Sequence, residues 1–306
     1  MTTRAYRTIP AWAERPSPAG RAAKAAVLTL IAAAILFPLY MVTLTSLSTQ
    51  EAVSAAGGLV TRPSPGHLSF AAYRELFAGG VVTRAVLVSL GVTGVGTAIS
   101  LAVTVLAAYG LSRTGSLLHR PILFLILLTF LFVPGMIPSY LVVSSLGLID
   151  TYWALILPSA VWAFNLVVMR AFFMNIPREI MDSARIDGAG EFRILWRIVL
   201  PMSKGVTAVI GLFYAVGYWN AFFNAVLYLN DTSMWPLQLV LRQYVLQGQS
   251  IYAGQSGESI VAGQNLPPSL AVQMAIVVVA MIPVLFIYPF VQKHFTKGVV
   301  IGAVKG

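Results

Sequence analysis

The chain has no cysteine, which excludes disulfides, thiol catalysis and cysteine-based metal sites. Charge is scarce too: Asp, Glu, Lys and Arg make up 10% of its 306 residues, where globular proteins carry about a quarter. The three histidines, His67, His119 and His294, stand far apart in expected loops, where solvated side chains account for them. No Asp, Glu, Lys or His falls at the centre of an apolar run. Such buried ionisable groups mark proton and sodium relays, so ion-coupled transport is disfavoured. A phosphate loop of the form Gly-x4-Gly-Lys-Ser/Thr is missing. Its nearest lookalike, Gly298 to Gly302, continues Ala-Val without the lysine. Nothing resembles paired catalytic carboxylates or a nucleophile with an aligned base. These absences describe a chain that forms a pathway while its energy arrives from outside.

What the chain does have is hydrophobic length. Apolar residues make up 58% of it, so it reads as an integral membrane protein of the all-α class. Six apolar runs, at about 25–47, 86–110, 121–145, 152–174, 205–229 and 269–291, are each long enough for a transmembrane helix. The first is too long for the apolar core of a cleaved signal peptide, about 7–15 residues. The expected organisation is a polar tail at 1–24, a membrane domain at 25–291 with a long polar loop at 230–268, and a tail at 292–306. Within that loop, Asn230, Asp231 and Pro236 mark a turn leading into a short amphipathic helix. The third run is interrupted by Val133-Pro-Gly-Met-Ile-Pro138. An ordinary proline kink and a bend that lines or gates a pathway both fit that interruption.

The net charge of +10 is a topological signal rather than a nucleic-acid footprint. Sixteen of the twenty Lys and Arg fall in the first tail, the 113–120 loop, the 170–204 segment and the last tail. Only Arg62, Arg74, Arg84 and Arg242 fall on the other side. Basic loops stay in the cytoplasm, so both termini and the segment near residue 190 are expected there.

That segment, 176–201, is a charge-mixed island with Glu179, Asp182, Asp187 and Glu191 among four arginines. Its grammar is helix, glycine turn, helix. Asn175 and Pro177 suit a helix start, Gly188 and Gly190 suit the turn, and Pro201 is expected to stop the second helix. Two short helices folded at a glycine form a knob suited to a socket on another protein.

Asp182-Ser183-Ala184, then Gly188 with three residues between, then Ile198-x-Leu200-Pro201 with nine between, resemble the "EAA" loop of ABC-importer permeases. Asp182 and Ser183 are mild departures from Glu and Ala. Ala184-Arg-Ile-Asp187-Gly-Ala189 is similar to the carbohydrate-uptake, maltose-type branch. The text at 228–244 and the closing Lys-Gly-Val-Val-Ile-Gly-Ala-Val-Lys-Gly are similar to polysaccharide and lipo-oligosaccharide permeases. The resemblance covers nearly the whole chain. It implies a six-span subunit of the bacterial cytoplasmic membrane that imports carbohydrate, with oligosaccharide favoured. It implies as partners a second homologous permease, two cytosolic ATPase subunits that bind ATP and Mg, and an extracytoplasmic solute-binding protein. No cofactor is then held by this chain. Asp182, Ser183, Ala184, Asp187, Gly188, Ile198, Leu200 and Pro201 would couple it to the ATPase.

Asn165, Tyr218, Trp219, Asn220 and Asn224 lie within apolar runs and suit a sugar path, because aromatic rings stack on apolar sugar faces while amides meet hydroxyls. They equally suit bonds between helices or a place at the membrane interface. The glycine-rich text at 247–263 fits a flexible connector, while the resemblance implies that the external loop at 230–268 meets the binding protein. Two rival functions stand beside the sugar importer. A permease of the same superfamily for amino acids, phosphate or polyamines would differ in the ligand of its binding protein. A membrane-embedded enzyme would need clustered acids or histidines at the membrane face.

Overall fold

The computed structural model describes residues 17–63, 66–113, 115, 118–246 and 269–303. Residues 1–16 of the expected first tail, 247–268 of the expected long loop, and 304–306 lie outside the described residues. Among the described residues the chain is helical without a strand. Among the described residues three helices are long and apolar enough to cross a membrane: α1 (Pro18–Ser46), α4 (Val81–Ser112) and the Leu270–Ile287 part of α15 (Leu270–Ala303). Between α1 and α4 lie the short α2 (Gln50–Ala55) and α3 (Ala71–Ala78).

Helix α1 starts inside the expected tail because Pro18 suits the first turn and the Ser17 hydroxyl accepts the Gly20 N–H at 3.0 Å. At the other end, α15 runs on into the expected last tail as far as Ala303.

The remaining apolar runs are broken helices. Residues 121–145 divide into α5 (His119–Leu131) and α6 (Met136–Ser145), separated by four residues that include Pro134 and Gly135. Residues 152–174 divide into α7 (Trp153–Ile156), extended by a 3-10 turn to Ser159, and α8 (Ala163–Met174), with a 51° bend between them. The island holds α9 (Arg178–Ile186), α10 (Glu191–Ile194) and α11 (Leu200–Met202). The helical stretch Glu191–Met202 meets α12 (Lys204–Trp219) at 88°. After α12, a break at 220–222 precedes α13 (Phe223–Tyr228). The helix expected after Pro236 is α14 (Leu237–Leu246). Counting each bent pair as one span raises the candidate crossings from three to five.

Helix α4 is the centre of the packing, with α12 and α8 both laid against it. One buried cluster joins α4, α7, α8, the island and α12 through Val105, Ala108, Met169, Phe173, Ile194 and Ile210. A second joins the end of α1, α2 and α3 to α14 and α15 through Leu44, Leu76, Leu237 and Ile276. Helix α5 buries none of its residues among the described residues. Its all-round apolar surface belongs against lipid or another protein.

At one end of the bundle the turn after α6 is tied to the segment after α13. Asp150, at φ 58°, accepts the Asn230 N–H at 2.5 Å, the Asn230 side-chain amide at 2.9 Å and the Asp231 N–H at 3.1 Å. These donors hold its carboxyl below the usual carboxylate range.

Candidate functional site

The island folds as a closed knob. Gly188 adopts φ 77°, a conformation that a side chain penalises. Its N–H bonds the Arg185 carbonyl, and the Ala189 N–H bonds the Ala184 carbonyl, both at 2.9 Å. That pair of bonds is a Schellman motif, in which a left-handed glycine closes a helix and satisfies its last carbonyls. Ala184 and Ala189, the residues that frame the motif, both pack on the first buried cluster. Ala184 therefore faces the chain's own core, as do Ile198 and Leu200. Asp182, Ser183, Asp187 and Gly188 are exposed, and so is Pro201.

Two local expectations are corrected. Asn175 closes α8, its N–H bonded to the Phe172 and Phe173 carbonyls, and Pro177 is the N-cap of α9, which has no side-chain cap bond. Pro201 does not stop the second helix, which continues to Met202. A proline ring collides with the carbonyl four residues back in a regular α-helix. The chain widens the turn ahead of it into a π-helix over Leu195–Val199, where the Leu200 N–H reaches back to Leu195.

Glu191 ties the knob to the rest of the molecule. Its carboxylate accepts the Tyr109 hydroxyl at 2.5 Å and Arg113 Nη2 at 2.6 Å, while Arg113 also contacts the Tyr109 hydroxyl. Arg185 reaches it from α9 at 3.2 Å and holds Asp182 at 2.7 Å. Arg170 donates to the Leu111 carbonyl at 2.9 Å, meeting one of the unpaired carbonyls at the end of α4. Between this end of α4 and the knob lies a cavity of ≈ 580 Å³ that includes Met174, Arg178 and Met181 in its lining. On the outer surface three apolar side chains stand among the charges: Ile186 is 86% exposed, Phe192 71% and Trp196 64%.

A second cavity, of ≈ 240 Å³, opens where α7 gives way to α8. Its lining joins Ser159 and Trp162 at the break to Phe213, Tyr214, Tyr218 and Asn224 from α12 and α13. Of the five residues expected on a sugar path, the cavity brings together Tyr218 and Asn224. Trp219 turns the other way, its indole N–H donating to the Ala280 carbonyl at 3.0 Å in the second cluster. Asn220 is exposed outside the cavity, with its amide donating to Val216 one turn back. Asn165 is fully buried in α8, and its side-chain amide has no hydrogen-bond partner among the described residues. Sequence reading missed Trp162, Glu191 and the hydroxyl pairs Ser100–Tyr218 and Thr104–Tyr214. Matching four-residue spacings on two apolar helices were the available signal for those pairs.

Residues 81–301 match the family described as "Binding-protein-dependent transport system inner membrane component". The chain is 49% identical over 243 residues to the polygalacturonan/rhamnogalacturonan transport system permease protein YtcP of Bacillus subtilis (strain 168), covering 79% of this chain and 84% of that one. It is 30% identical over 275 residues to the arabinooligosaccharides transport system permease protein AraQ of the same organism, covering 89% and 91%. Its fold superposes on a chain of a bacterial ABC transporter involved in the import of the acidic polysaccharide alginate. That match has a TM-score of 0.81 and 30% identity, covering 92% of this chain and 100% of the other. Extent and identity together place this chain in the family of binding-protein-dependent transport system inner membrane components.

Proposed function

We propose that the chain is the permease subunit of an ATP-driven importer that receives an oligosaccharide from a solute-binding protein. As a member of its family it is a transport component and not an enzyme, with ATP hydrolysed by a separate subunit. The sugar class is carried over from the relatives, which are named for polygalacturonan/rhamnogalacturonan and arabinooligosaccharides. The knob is the observation that carries the mechanism. It is a helix pair locked by a left-handed glycine, tied to α4 through Glu191, with Ile186, Phe192 and Trp196 left exposed. Large exposed apolar side chains on a charged surface suit a protein socket. On this reading they enter the ATPase together with Ser183, Asp187 and Gly188. Ala184, Ile198 and Leu200 hold the knob's shape from within.

Six spans follow when α5–α6, α7–α8 and α12–α13 each count as one broken crossing beside α1, α4 and α15. Arg113 and Glu191 then share the cytoplasmic end, Asp150 and Asn230 the external end, and both termini are cytoplasmic. A second homologous permease would cover apolar surface such as that of α5, and two ATPase copies would take one knob from each permease. Trp162, Tyr218 and Asn224 would contact the sugar with stacking faces and an amide. Trp219, Asn220 and Asn165 would shape that path from behind or beside it.

Proteoliposomes with both permeases, the ATPase and the binding protein should take up labelled oligosaccharide only with ATP inside. Trp162→Ala should raise the KM for uptake more than it lowers the maximal rate. Uptake by this chain alone, or of an amino acid, phosphate or polyamine delivered by its binding protein, would refute the proposal.

A further inference from the structure

The break between α7 and α8 redirects backbone groups in the middle of an apolar bundle. In an unbroken α-helix the Ala160 N–H would meet the Ile156 carbonyl, but here it meets Leu157. Trp162, at the start of α8, carries an N–H that its own helix cannot bond. Hydroxyls of α12 serve both groups. Trp162 N–H donates to the Tyr214 oxygen at 3.1 Å, and the Tyr218 hydroxyl donates to the Ile156 carbonyl at 3.0 Å.

A second pair of hydroxyls, on α4, stands behind the first. Ser100 lies 2.8 Å from the Tyr218 oxygen and Thr104 2.7 Å from the Tyr214 oxygen. Tyr218 has one hydroxyl hydrogen, already given to Ile156, so Ser100 is the donor in its pair. Positions 100 and 104 are one turn apart on α4, and 214 and 218 are one turn apart on α12, so the helices present matched rungs. All four side chains are buried.

We infer that Ser100–Tyr218 and Thr104–Tyr214 form a two-rung latch that holds the α7–α8 break against α12 and α4, and that transport requires it to release. The inference rests on the reading of the adjoining cavity as the sugar path. Backbone freed within a bilayer persists only where a neighbour or water meets it. The latch meets it in this arrangement, so the break moves only when another donor and acceptor take over. A sugar hydroxyl carries the donor and acceptor functions of a tyrosine hydroxyl, so sugar entering the cavity supplies that replacement. Tyr214 and Tyr218 are thus positioning residues of the break as well as walls of the path.

The absence of native cysteine makes single-cysteine labelling clean. In the complete transporter carrying Ser159→Cys, a membrane-impermeant maleimide reports access to the break. Tyr218→Phe keeps the ring and removes one rung. It should raise the sugar-free labelling rate several-fold, and Tyr214→Phe/Tyr218→Phe should erase the difference between nucleotide-free and nucleotide-trapped states. Ser100→Ala removes the same rung from α4 and should label as Tyr218→Phe does, even where the tyrosine variant inserts poorly. Wild-type rates and nucleotide dependence in both Tyr218→Phe and Ser100→Ala overturn the latch. Fast labelling in Tyr218→Phe with wild-type labelling in Ser100→Ala overturns it equally. The labelling needs no sugar, so its failure is separate from failure of the path, which the Trp162→Ala uptake measurement reads.

Discussion

The knob and the mid-bundle cavity are built on opposite principles, and two glycines display the difference. Gly188 has open space around it but a backbone angle of +77°. Gly96 sits in an ordinary helix but has no space, since a Cβ there would lie 2.8 Å from the Tyr218 ring. One site is specified by local conformation and the other by distant packing. Gly188→Val gives the largest effect, because a β-branched residue resists the left-handed region at a cost of about 1–2 kcal/mol or more. Abundance should stay near normal while ATP-driven uptake falls by well over tenfold. Gly188→Asn should recover part of it, since Asn tolerates that conformation. A Gly188→Val transporter with wild-type uptake would remove the knob from the coupling mechanism.

The corresponding break of the cavity is Gly96→Ala. The added methyl overpacks α4 against Tyr218, and overpacking typically costs about 1–3 kcal/mol. Thermal unfolding of the purified chain should shift downward, and labelling at Ser159→Cys should accelerate, which Gly188→Val should not cause. Unchanged stability together with unchanged labelling would mean that the ring is not held where the structure places it.

The same contrast explains what was legible in the sequence. Asp182 to Pro201 fits within one loop, and its glycine turn, exposed charges and proline are all local chemistry. Local chemistry therefore located the turn at Gly188 and Gly190, and Gly188 is the one with the left-handed angle. The wide turn ahead of Pro201 was not legible, because a proline near a helix end is equally compatible with a stop. Helical class and apolar runs were readable from composition and hydropathy. The breaks at 157–162 and 220–222 were not, because their stability depends on partners such as Tyr214 and Tyr218 that only the tertiary fold supplies. Trp219 and Asn220 illustrate the limit. Both are neighbours of Tyr218 in sequence, yet one helical step turns the indole toward Ala280 and the amide back to Val216.

Glu191 is where the local site meets the long-range one, and it sharpens the comparison at intermediate size. Its partner Tyr109 belongs to α4 and Arg113 is that helix's C-cap, and the same helix carries Ser100 and Thr104. Glu191 and Arg185 are substantially exposed, and exposed ion pairs contribute only about 0.2–1 kcal/mol. Glu191→Gln should thus shift unfolding little yet lower the ATPase stimulation produced by loaded binding protein. Raising ionic strength should reduce wild-type stimulation toward the Glu191→Gln level while leaving the variant nearly unchanged. Equal salt sensitivity in both would show that the Glu191 ion pairs carry no coupling.

The smallest expected effect lies at the far end, in the Asp150 staple. Donors from Asn230 and Asp231 lower the folded-state pKa of Asp150. A depressed carboxylate contributes stability that is complete above its unfolded value of about 3.9 and is lost as pH falls through the lower folded value. Between about pH 5 and 3, where this loss begins, thermal unfolding of the wild type should therefore drop more steeply than that of Asp150→Asn. The amide keeps the side chain's shape but places a donor where one carboxylate oxygen accepts. At neutral pH the variant should unfold slightly earlier than the wild type, and acidification should narrow the gap between them. Because Asp150 is only partly buried, water competes for its bonds, and the difference should be modest at every pH. Parallel curves for the two proteins would show that the staple orders the turn without stabilising the fold.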